Sequence, residues 1–438
     1  MSPQRAWCLF DWAGQPFYTL VLTFVFAPYF AASVASDPVT GQAIWSNTIT
    51  VAGLSMALLA PVLGAIADHA GPRKPWIAVF SGVFVLGAVG LWGAVPDMAS
   101  ALPILVLFAL AYFGAEIAFV FYSAMLPSLA DRAEIGHLSG KGYAWGYVAG
   151  ILSLILVLGF LAPMPNSDTT LLGLAPAFGL DPDLGEPQRA TGPLAALWFV
   201  LFAIPVFVFV PDTPRKAQPG SAIRGGLSAL GTSLKRLPQQ PSLSAFLLGS
   251  MLYRDALAGV YIFGGIYAAG VLGWQTFQLG VFGILAALVA AMGAWLGGRA
   301  DRAYGPKPVV MLSVIALILV CIVTLSTSRS HVLGVAVAPS STLPDTVFYI
   351  CGALIGGFGG ALQAASRTLL VFQAEGRMSP TQAFGLYALS GKATAFLAPL
   401  LIGLATTLSG DQAWGISPVI GLFAGGLALL VFVKSNQE

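Results

Sequence analysis

The stretch Gly64-Ala65-Ile66-Ala67-Asp68-His69-Ala70-Gly71-Pro72-Arg73-Lys74-Pro75 is a short polar turn between two long apolar runs, and it occurs twice. The second copy, Gly297-Gly298-Arg299-Ala300-Asp301-Arg302-Ala303-Tyr304-Gly305-Pro306-Lys307-Pro308, keeps the Gly-x-x-x-Asp opening, inserts one residue, and closes on the same Gly-Pro-basic-Pro. Each copy falls between the second and third apolar segments of its own half. A repeat of roughly half a chain, rather than a period of twenty to fifty residues, predicts two homologous bundles and not a solenoid. An ordinary basic cytoplasmic turn accounts for one copy; two copies in register argue for a shared design.

The runs around the turns set the class. Of 438 residues 57% are hydrophobic and only 9% charged, with a mean hydropathy of +0.84. Soluble domains carry about 25% charged residues, and a chain this poor in charge cannot cover a water-facing surface. The expectation is a polytopic membrane protein whose partners are the lipid bilayer and a small-molecule substrate, with no role for nucleic acid in a net charge of +2. Cys8, Cys321 and Cys351 lie in apolar runs with no CxxC or metal spacing, so free thiols, no disulfide and no metal are expected. Met1 to Trp7 lacks a separate short apolar core with a small-residue cleavage site, and the first apolar run is expected to be retained as a span.

Segments able to cross about 30 Å of hydrocarbon as helices run over 7–34, 45–67, 75–95, 100–127, 142–162 and 193–211, then over 242–271, 275–300, 308–328, 346–374, 382–408 and 413–433. The fold class read from this is an all-α integral membrane protein with twelve transmembrane helices in two pseudo-symmetric six-helix bundles, residues 1–211 and 242–438. Residues 212–241 form a cytoplasmic linker in which Ile223, Leu227, Leu230 and Leu234, at helical spacing within 221–237, predict an amphipathic helix on the membrane surface. The acidic loop 163–192, with Asp168, Asp181, Asp183 and Glu186 against Arg189, is expected on the opposite side. With the N-terminus in the cytoplasm, Arg5, Arg73, Lys74, Arg132, Lys141, Arg215, Lys216, Arg224, Lys235, Arg236, Arg299, Arg302, Lys307, Arg377 and Lys434 all fall at cytoplasmic ends, and Arg189 and Arg329 outside. That asymmetry orients both termini to the cytoplasm of a plasma (inner) membrane.

The turn itself resembles the loop between helices two and three of the major facilitator superfamily of transporters. The resemblance implies that its Gly lets helices approach closely, that its Asp caps or salt-bridges a neighbouring helix end, and that its basic residues hold the cytoplasmic face. Gly64, Asp68, Arg73 and Lys74, with Gly297, Asp301 and Lys307, are the gating candidates it carries over.

Six charges remain inside apolar segments: Asp11, Glu116, Arg254, Asp255, Arg367 and Lys392. A charge at the bilayer centre costs at least about 2.5–3.5 kcal/mol on insertion scales, so each must face a partner or a wet cavity. They sit on segments 1, 4, 7, 7, 10 and 11, and in the superfamily that the chain resembles helices 1, 4, 7 and 10 line the central cavity. Glu116, Asp255 and Lys392 lie nearest the midplane, with Asp11 and Arg367 nearer the cytoplasmic mouth. Structural pairing of Asp11 or Asp255 with a basic neighbour is the alternative. Arg254 and Asp255 are consecutive and point about 100° apart, so one is expected to face the cavity and the other an adjacent helix. Tyr112, Phe119 and Tyr122 accompany Glu116 at helical spacings, and Gln363 and Ser366 accompany Arg367. A mixed polar and aromatic wall suits a small polar solute, although such aromatic stripes also arise from packing alone. Glu116, Tyr112, Tyr122, Arg254, Asp255, Gln363, Arg367 and Lys392 are the substrate-binding candidates, with Lys392 and Arg367 as the anion-attracting part. Glu116, and after it Asp255 or Asp11, is the candidate proton carrier, because a carboxylate in an apolar setting binds a proton more readily.

Small-residue stripes recur at Gly142, Gly146 and Gly150, at Gly293 and Gly297, and at Gly352, Gly356 and Gly360. They permit close helix contact, for sliding or for plain tight packing. Pro16, Pro61, Pro205 and Pro399 are expected kink sites.

Leu9-Phe10-Asp11-Trp12-Ala13, Ala60-Pro61-Val62-Leu63-Gly64 running to Asp68, Arg73-Lys74-Pro75-Trp76, Ser139-Gly140-Lys141-Gly142 with Gly146-Tyr147, and Leu252-Tyr253-Arg254-Asp255 with Phe263-Gly264-Gly265-Ile266-Tyr267-Ala268-Ala269-Gly270 together look like one branch of the superfamily. It is the family named for the autophagy-related vacuolar amino-acid effluxer, with many bacterial members. The resemblance spans both halves and implies a proton-linked or passive carrier for a small solute, amino acids being the suggested substrates of the eukaryotic members. Arg254 departs from the pattern, an uncharged polar residue being expected there.

The reading is a secondary transporter of a small polar, zwitterionic or anionic, amino-acid-like solute by alternating access, expected to be monomeric and to use no cofactor. A lipid-like or other amphiphilic substrate is the alternative within the class, since aromatic cavity walls also suit acyl chains. A polytopic membrane enzyme is the alternative outside it. His69, His137 and His331 all lie in loops, no DxxxD pair occurs, and no GxxxxGK[ST] loop is present, so uphill transport must draw on an ion gradient.

Overall fold

A computed structural model of the protein describes residues 1–70, 72–123, 125, 128–129, 135–165, 167–212, 239–338, 340–374, 387, 390–391 and 393–434, with backbone alone for 60–62, 64–70, 135–137, 139–140, 143 and 302. Apolar runs of this length must pair their backbone polar groups internally, and helices do so within one segment. The helices are α1 (Pro3–Val34), α2 (Pro38–Ala70), α3 (Lys74–Gly93), α4 (Leu102–Ser123), α5 (Ile135–Leu156), α6 (Glu186–Phe209), α7 (Pro241–Leu272), α8 (Thr276–Tyr304), α9 (Pro306–Leu325), α10 (Leu343–Ala374), α11 (Leu397–Ser409) and α12 (Gln412–Val431). A short antiparallel hairpin, β1 (His331–Val332) and β2 (Val335–Ala336), sits between α9 and α10. Its two-residue turn, Leu333-Gly334, has positive φ at both positions, as a tight hairpin requires.

Ten helices among the described residues are long and apolar enough to cross a membrane. The expected second span lies within the 33-residue α2. The expected eleventh, 382–408, is helical over Leu397–Ser409, a shorter apolar helix, and most of its first half lies outside the described residues. The amphipathic helix expected over 221–237 lies outside them too. The fifth span begins seven residues earlier than hydropathy gave, because the helix takes in the polar residues of Ile135–Leu156, and it ends in a π-helical turn at Val157–Leu161.

Pro16 has no N–H to give the helix, and the backbone of α1 widens just after it into the π-helical stretch Phe17–Phe24. The Thr23 hydroxyl donates to the Tyr18 carbonyl at 2.9 Å within that stretch. The predicted kink takes the form of a wide turn, which sets the directions of Tyr18 and Thr19 relative to Asp11.

The chain packs as two compact units: Met1–Gly41 with Val51–Gly231 and Gln275–Gly280, and Gln42–Thr50 with Thr232–Trp274 and Val281–Glu438. Within the first, α3 packs on α4, α1 on α5 and on α6, and α3 on α6. Within the second, α9 packs on α10, α7 on α11 and on α12, and α9 on α12. The same pairs recur at an offset of six helices, as the repeated turn leads one to expect. The glycine stripes of α8 and α10 meet one another: a Cβ on Gly356 or Gly360 would run into the Ala286 or Ala290 carbonyl oxygen, and one on Gly293 into that of Gly357. Backbones touch there, so these stripes are close-packing surfaces.

Candidate functional site

In the first unit the intramembrane acids are held by tyrosines. The Tyr18 hydroxyl, carried on the widened part of α1, donates to Glu116 Oε1 of α4 at 2.9 Å. Tyr122, more than a turn further along α4, is buried, with its ring stacked on Trp7 (4.5 Å between centroids) and on Phe10 (4.5 Å). The Trp7 indole N–H donates to the Tyr122 carbonyl at 3.2 Å, and the Tyr122 hydroxyl lies 2.8 Å from the Trp7 carbonyl and 2.7 Å from Asp11 Oδ2. Gly142 of α5 makes room for that carboxylate, since a Cβ there would overlap Asp11 Oδ2. Phe119 fills the space above Gly14 and meets Phe10, Tyr18 and Tyr122 edge-on. Tyr112 is buried against Phe108. The aromatic stripe of α4 is therefore packed within this unit, and Tyr122 reaches Asp11 instead of presenting a free hydroxyl.

In the second unit Arg254 and Asp255 meet one segment at two levels. The Arg254 guanidinium lies 4.1 Å from the Tyr387 ring centroid, and its Nη1 donates to the Tyr387 carbonyl at 2.9 Å. Gly391 lies under the same guanidinium, with a Cβ there only 2.5 Å from Nη2. Asp255 is 4% exposed and lies beside the Thr394 side chain, and its Oδ2 has no hydrogen-bond partner among the described residues. Tyr387 and Thr394 belong to one stretch of the chain, so Arg254 and Asp255 both neighbour it, at different levels. Tyr253 and Ser366 share a buried hydrogen bond of 2.8 Å. Gln363 and Arg367 of α10 are half-buried. Lys392 lies outside the described residues.

The repeated turn is built alike in both units. The carboxylate of Asp212 accepts the backbone N–H groups of Arg73 (2.8 Å) and Lys74 (3.2 Å), capping the N-terminus of α3 with a negative charge, which the helix dipole favours. The Lys74 ammonium donates to the Phe207 carbonyl at the end of α6, 2.7 Å away. In the second copy the Lys307 ammonium donates to the Val433 carbonyl just past α12, at 2.6 Å. Each turn thus ties the start of its third helix to the end of its sixth. Gly297 is needed for packing on α10, a Cβ there lying 2.8 Å from Ala361 Cα. The Gly64 and Asp68 side positions lie outside the described residues, and Asp301 is half-buried. Sequence reasoning missed Tyr18, Asp212, Tyr387 and Thr394, which stand in no motif; only an aromatic or hydroxyl residue near each buried charge hinted at the first and last.

Residues 38–438 match the family model described as vacuole effluxer Atg22 like, more than nine-tenths of the chain. The chain belongs to the Atg22-like family. An uncharacterized MFS-type transporter of Bacillus subtilis, YxiO, is 24% identical over 440 residues, covering 99% of this chain and 95% of that protein. Autophagy-related protein 22 of Kluyveromyces lactis is 22% identical over 279 residues, 61% of this chain and 52% of that one. Among solved structures, a D-xylose–proton symporter superposes with a TM-score of 0.68 at 13% identity (99% and 96% of the two chains), and the nucleoside transporter NupG with 0.62 at 13% (99% and 100%). The fold is that of the major facilitator superfamily, and this Atg22-like chain is a multi-pass membrane transporter of that type.

Proposed function

We propose that this Atg22-like protein is a proton-coupled secondary transporter that moves a small zwitterionic or anionic, amino-acid-like solute across the plasma membrane. Its two bundles, 1–211 and 242–438, joined by the linker 212–241, work by alternating access, with both termini cytoplasmic and the protein acting as a monomer. The observation that carries the reading is the set of ionisable side chains kept within apolar helices: Asp11 and Glu116 among tyrosine hydroxyls in one unit, and Arg254 and Asp255 against Tyr387 and Thr394 in the other. Charges at that depth are retained for a solute or an ion. Arg367 and Lys392 supply the positive charge a carboxylate-bearing solute needs, while Arg254, already engaged with Tyr387, shapes the wall. The rings of Tyr122, Phe119 and Phe10 are spent on packing in α1 and α4, which takes away the support for an amphiphilic substrate.

The test is purified protein in liposomes, offered each of the twenty amino acids with and without an inward proton gradient. Accumulation of one or more above the equilibrium level, collapsing when a protonophore is added, is the expected result. Accumulation that ignores the protonophore would remove proton coupling, and uptake of lysolipid but of no amino acid would remove the substrate class.

A further inference from the structure

The connection between α5 and α6 carries an apolar stretch that the proposed transport does not use. Leu171-Leu172-Gly173-Leu174-Ala175-Pro176-Ala177-Phe178-Gly179 holds no charge, whereas Asp168 precedes it and Asp181, Asp183 and Glu186 follow. Leu171, Leu172, Leu174 and Phe178 are all exposed, Phe178 at 95%. Large apolar side chains gathered on a surface with nothing over them mark a contact with something outside the chain.

Two tethers give the stretch its depth. In the π-helical turn that ends α5, the Leu158 carbonyl would take the N–H five residues on, but that residue is Pro163, which has none. The Leu171 N–H fills the place, donating to Leu158 O at 3.0 Å. The stretch therefore folds back alongside the last turn of a membrane span, Ala144–Leu161, instead of rising off its end. Leu172 lies over Gly159, where a Cβ would come 3.5 Å from Leu172 Cδ1, and Phe160 of the same turn is itself exposed. At the other end the buried Arg189 donates from Nε to the Trp92 carbonyl at 2.8 Å and from Nη1 to the Leu184 carbonyl at 3.3 Å, with its guanidinium 4.6 Å from the Trp92 ring centroid. Leu184, also exposed, is thus held near an exposed indole at the end of α3, and tryptophans collect where hydrocarbon gives way to headgroups. Between the tethers Phe178 has φ 62°, a left-handed conformation uncommon for a residue other than glycine, and Gly179 follows at φ 68°. That turn holds the ring clear of the described protein.

We propose that residues 171–179 are a membrane-interface anchor, whose Leu171, Leu172, Leu174 and Phe178 side chains enter the boundary between headgroups and acyl chains in the leaflet at this end of α5 and α6. The acids stay in water: the Asp181 N–H donates to Glu186 Oε2 and the Asp183 N–H to Asp181 Oδ1, both at 2.9 Å, which folds them into a compact turn at the start of α6. The partner is the apolar part of the lipid and not an anionic headgroup, because Asp168, Asp181 and Asp183 are exposed while the one cation, Arg189, is buried and engaged. The anchor fixes the height of the α5–α6 end in the bilayer, whatever solute is carried.

Spin labels test this in the full-length protein reconstituted in phosphatidylcholine vesicles. The native Cys8, Cys321 and Cys351 are buried, so wild type treated with the label gives the blank. Nitroxides are attached in Leu172→Cys, Phe178→Cys and, as the reference in water, Asp183→Cys. Relaxation by oxygen, which concentrates in hydrocarbon, is compared with relaxation by a water-soluble nickel chelate. The ratio of the two is expected to be several-fold higher at positions 172 and 178 than at 183. A ratio at either apolar position equal to that at 183 puts the stretch in water and overturns the proposal. Poor access of both reagents, with an immobilised spectrum, puts a second copy or another part of the chain over the stretch and overturns it as well. Should one of the apolar-position variants not fold, the other decides alone.

Discussion

Arg254 shows how a single side chain can serve packing and electrostatics together. Its guanidinium donates to the Tyr387 carbonyl, lies over the Tyr387 ring, and occupies the space left by Gly391. For a half-buried guanidinium a cation–π contact contributes about 1 kcal/mol and a charged hydrogen bond about 1.5–3 kcal/mol. Lysine cannot reproduce both, because its ammonium is a point donor and not a flat fork. Gly391→Ala is expected to lower the apparent melting temperature of the detergent-solubilised protein, since the new methyl must push the guanidinium aside. In an Arg254→Ala background the same change is expected to be nearly neutral. Equal costs in the two backgrounds would mean that Gly391 and Arg254 are not coupled. The positions of the buried charges were legible in the sequence, because a charge in an apolar run stands out. Their partners were not: Tyr18, Tyr387 and Thr394 are neutral residues distant in sequence from the charges they meet, and hydropathy does not register one tyrosine among many.

At the scale of the element, the repeated turn joins helix ends in each unit. Lys74 and Lys307 satisfy carbonyls at or just past the C-termini of α6 and α12, which have no intrahelical donor, and the positive charge suits the negative end of the helix dipole. Gln373 adds a second donor beside Lys307, to the Lys434 carbonyl at 2.8 Å. Lys74→Met is therefore expected to destabilise more than Lys307→Met, by about 1 kcal/mol, the usual worth of a lost cap. Equal melting temperatures for the two variants would contradict that ranking. The Asp residues of the same turns carry a separate expectation. Asp68→Asn and Asp301→Asn should each raise the labelling rate of an engineered cysteine at the cytoplasmic mouth if they hold that side closed, and unchanged rates in both variants and in the double would remove the gate. The turn was readable because it repeats; Asp212 was not, since its role comes from where the chain returns after α6 and no second copy marks it.

For the whole molecule, the alternation of apolar runs and polar turns was enough to give the class, and the same helix pairs recur in the two units, in keeping with the repeated turn. What hydropathy could not give is the membership of α2, whose residues Gln42–Thr50 group with the second unit while Val51 onward groups with the first. The cause is a buried polar cluster: Gln42 is fully buried, and its amide donates to the Thr406 hydroxyl at 2.8 Å and to the Gln412 carbonyl at 3.1 Å. Ser46 packs beside Gly403, where a Cβ on the glycine would lie 3.0 Å from Ser46 Cβ. On the proposed alternating access, this end of α2 leaves the cluster in each cycle. Buried hydrogen bonds of this kind, each worth about 0.5–1.5 kcal/mol net, hold the cluster shut without making release prohibitive. Cysteines at Ser46 and Gly403, in a background with Cys8, Cys321 and Cys351 replaced by serine, are close enough to bridge after a small adjustment of the backbone. Oxidation is expected to stop amino-acid counterflow in liposomes, and reduction to restore it. Counterflow that continues at the wild-type rate with the bridge formed would mean that this end of α2 stays in the cluster throughout the cycle, and that the moving contact lies elsewhere.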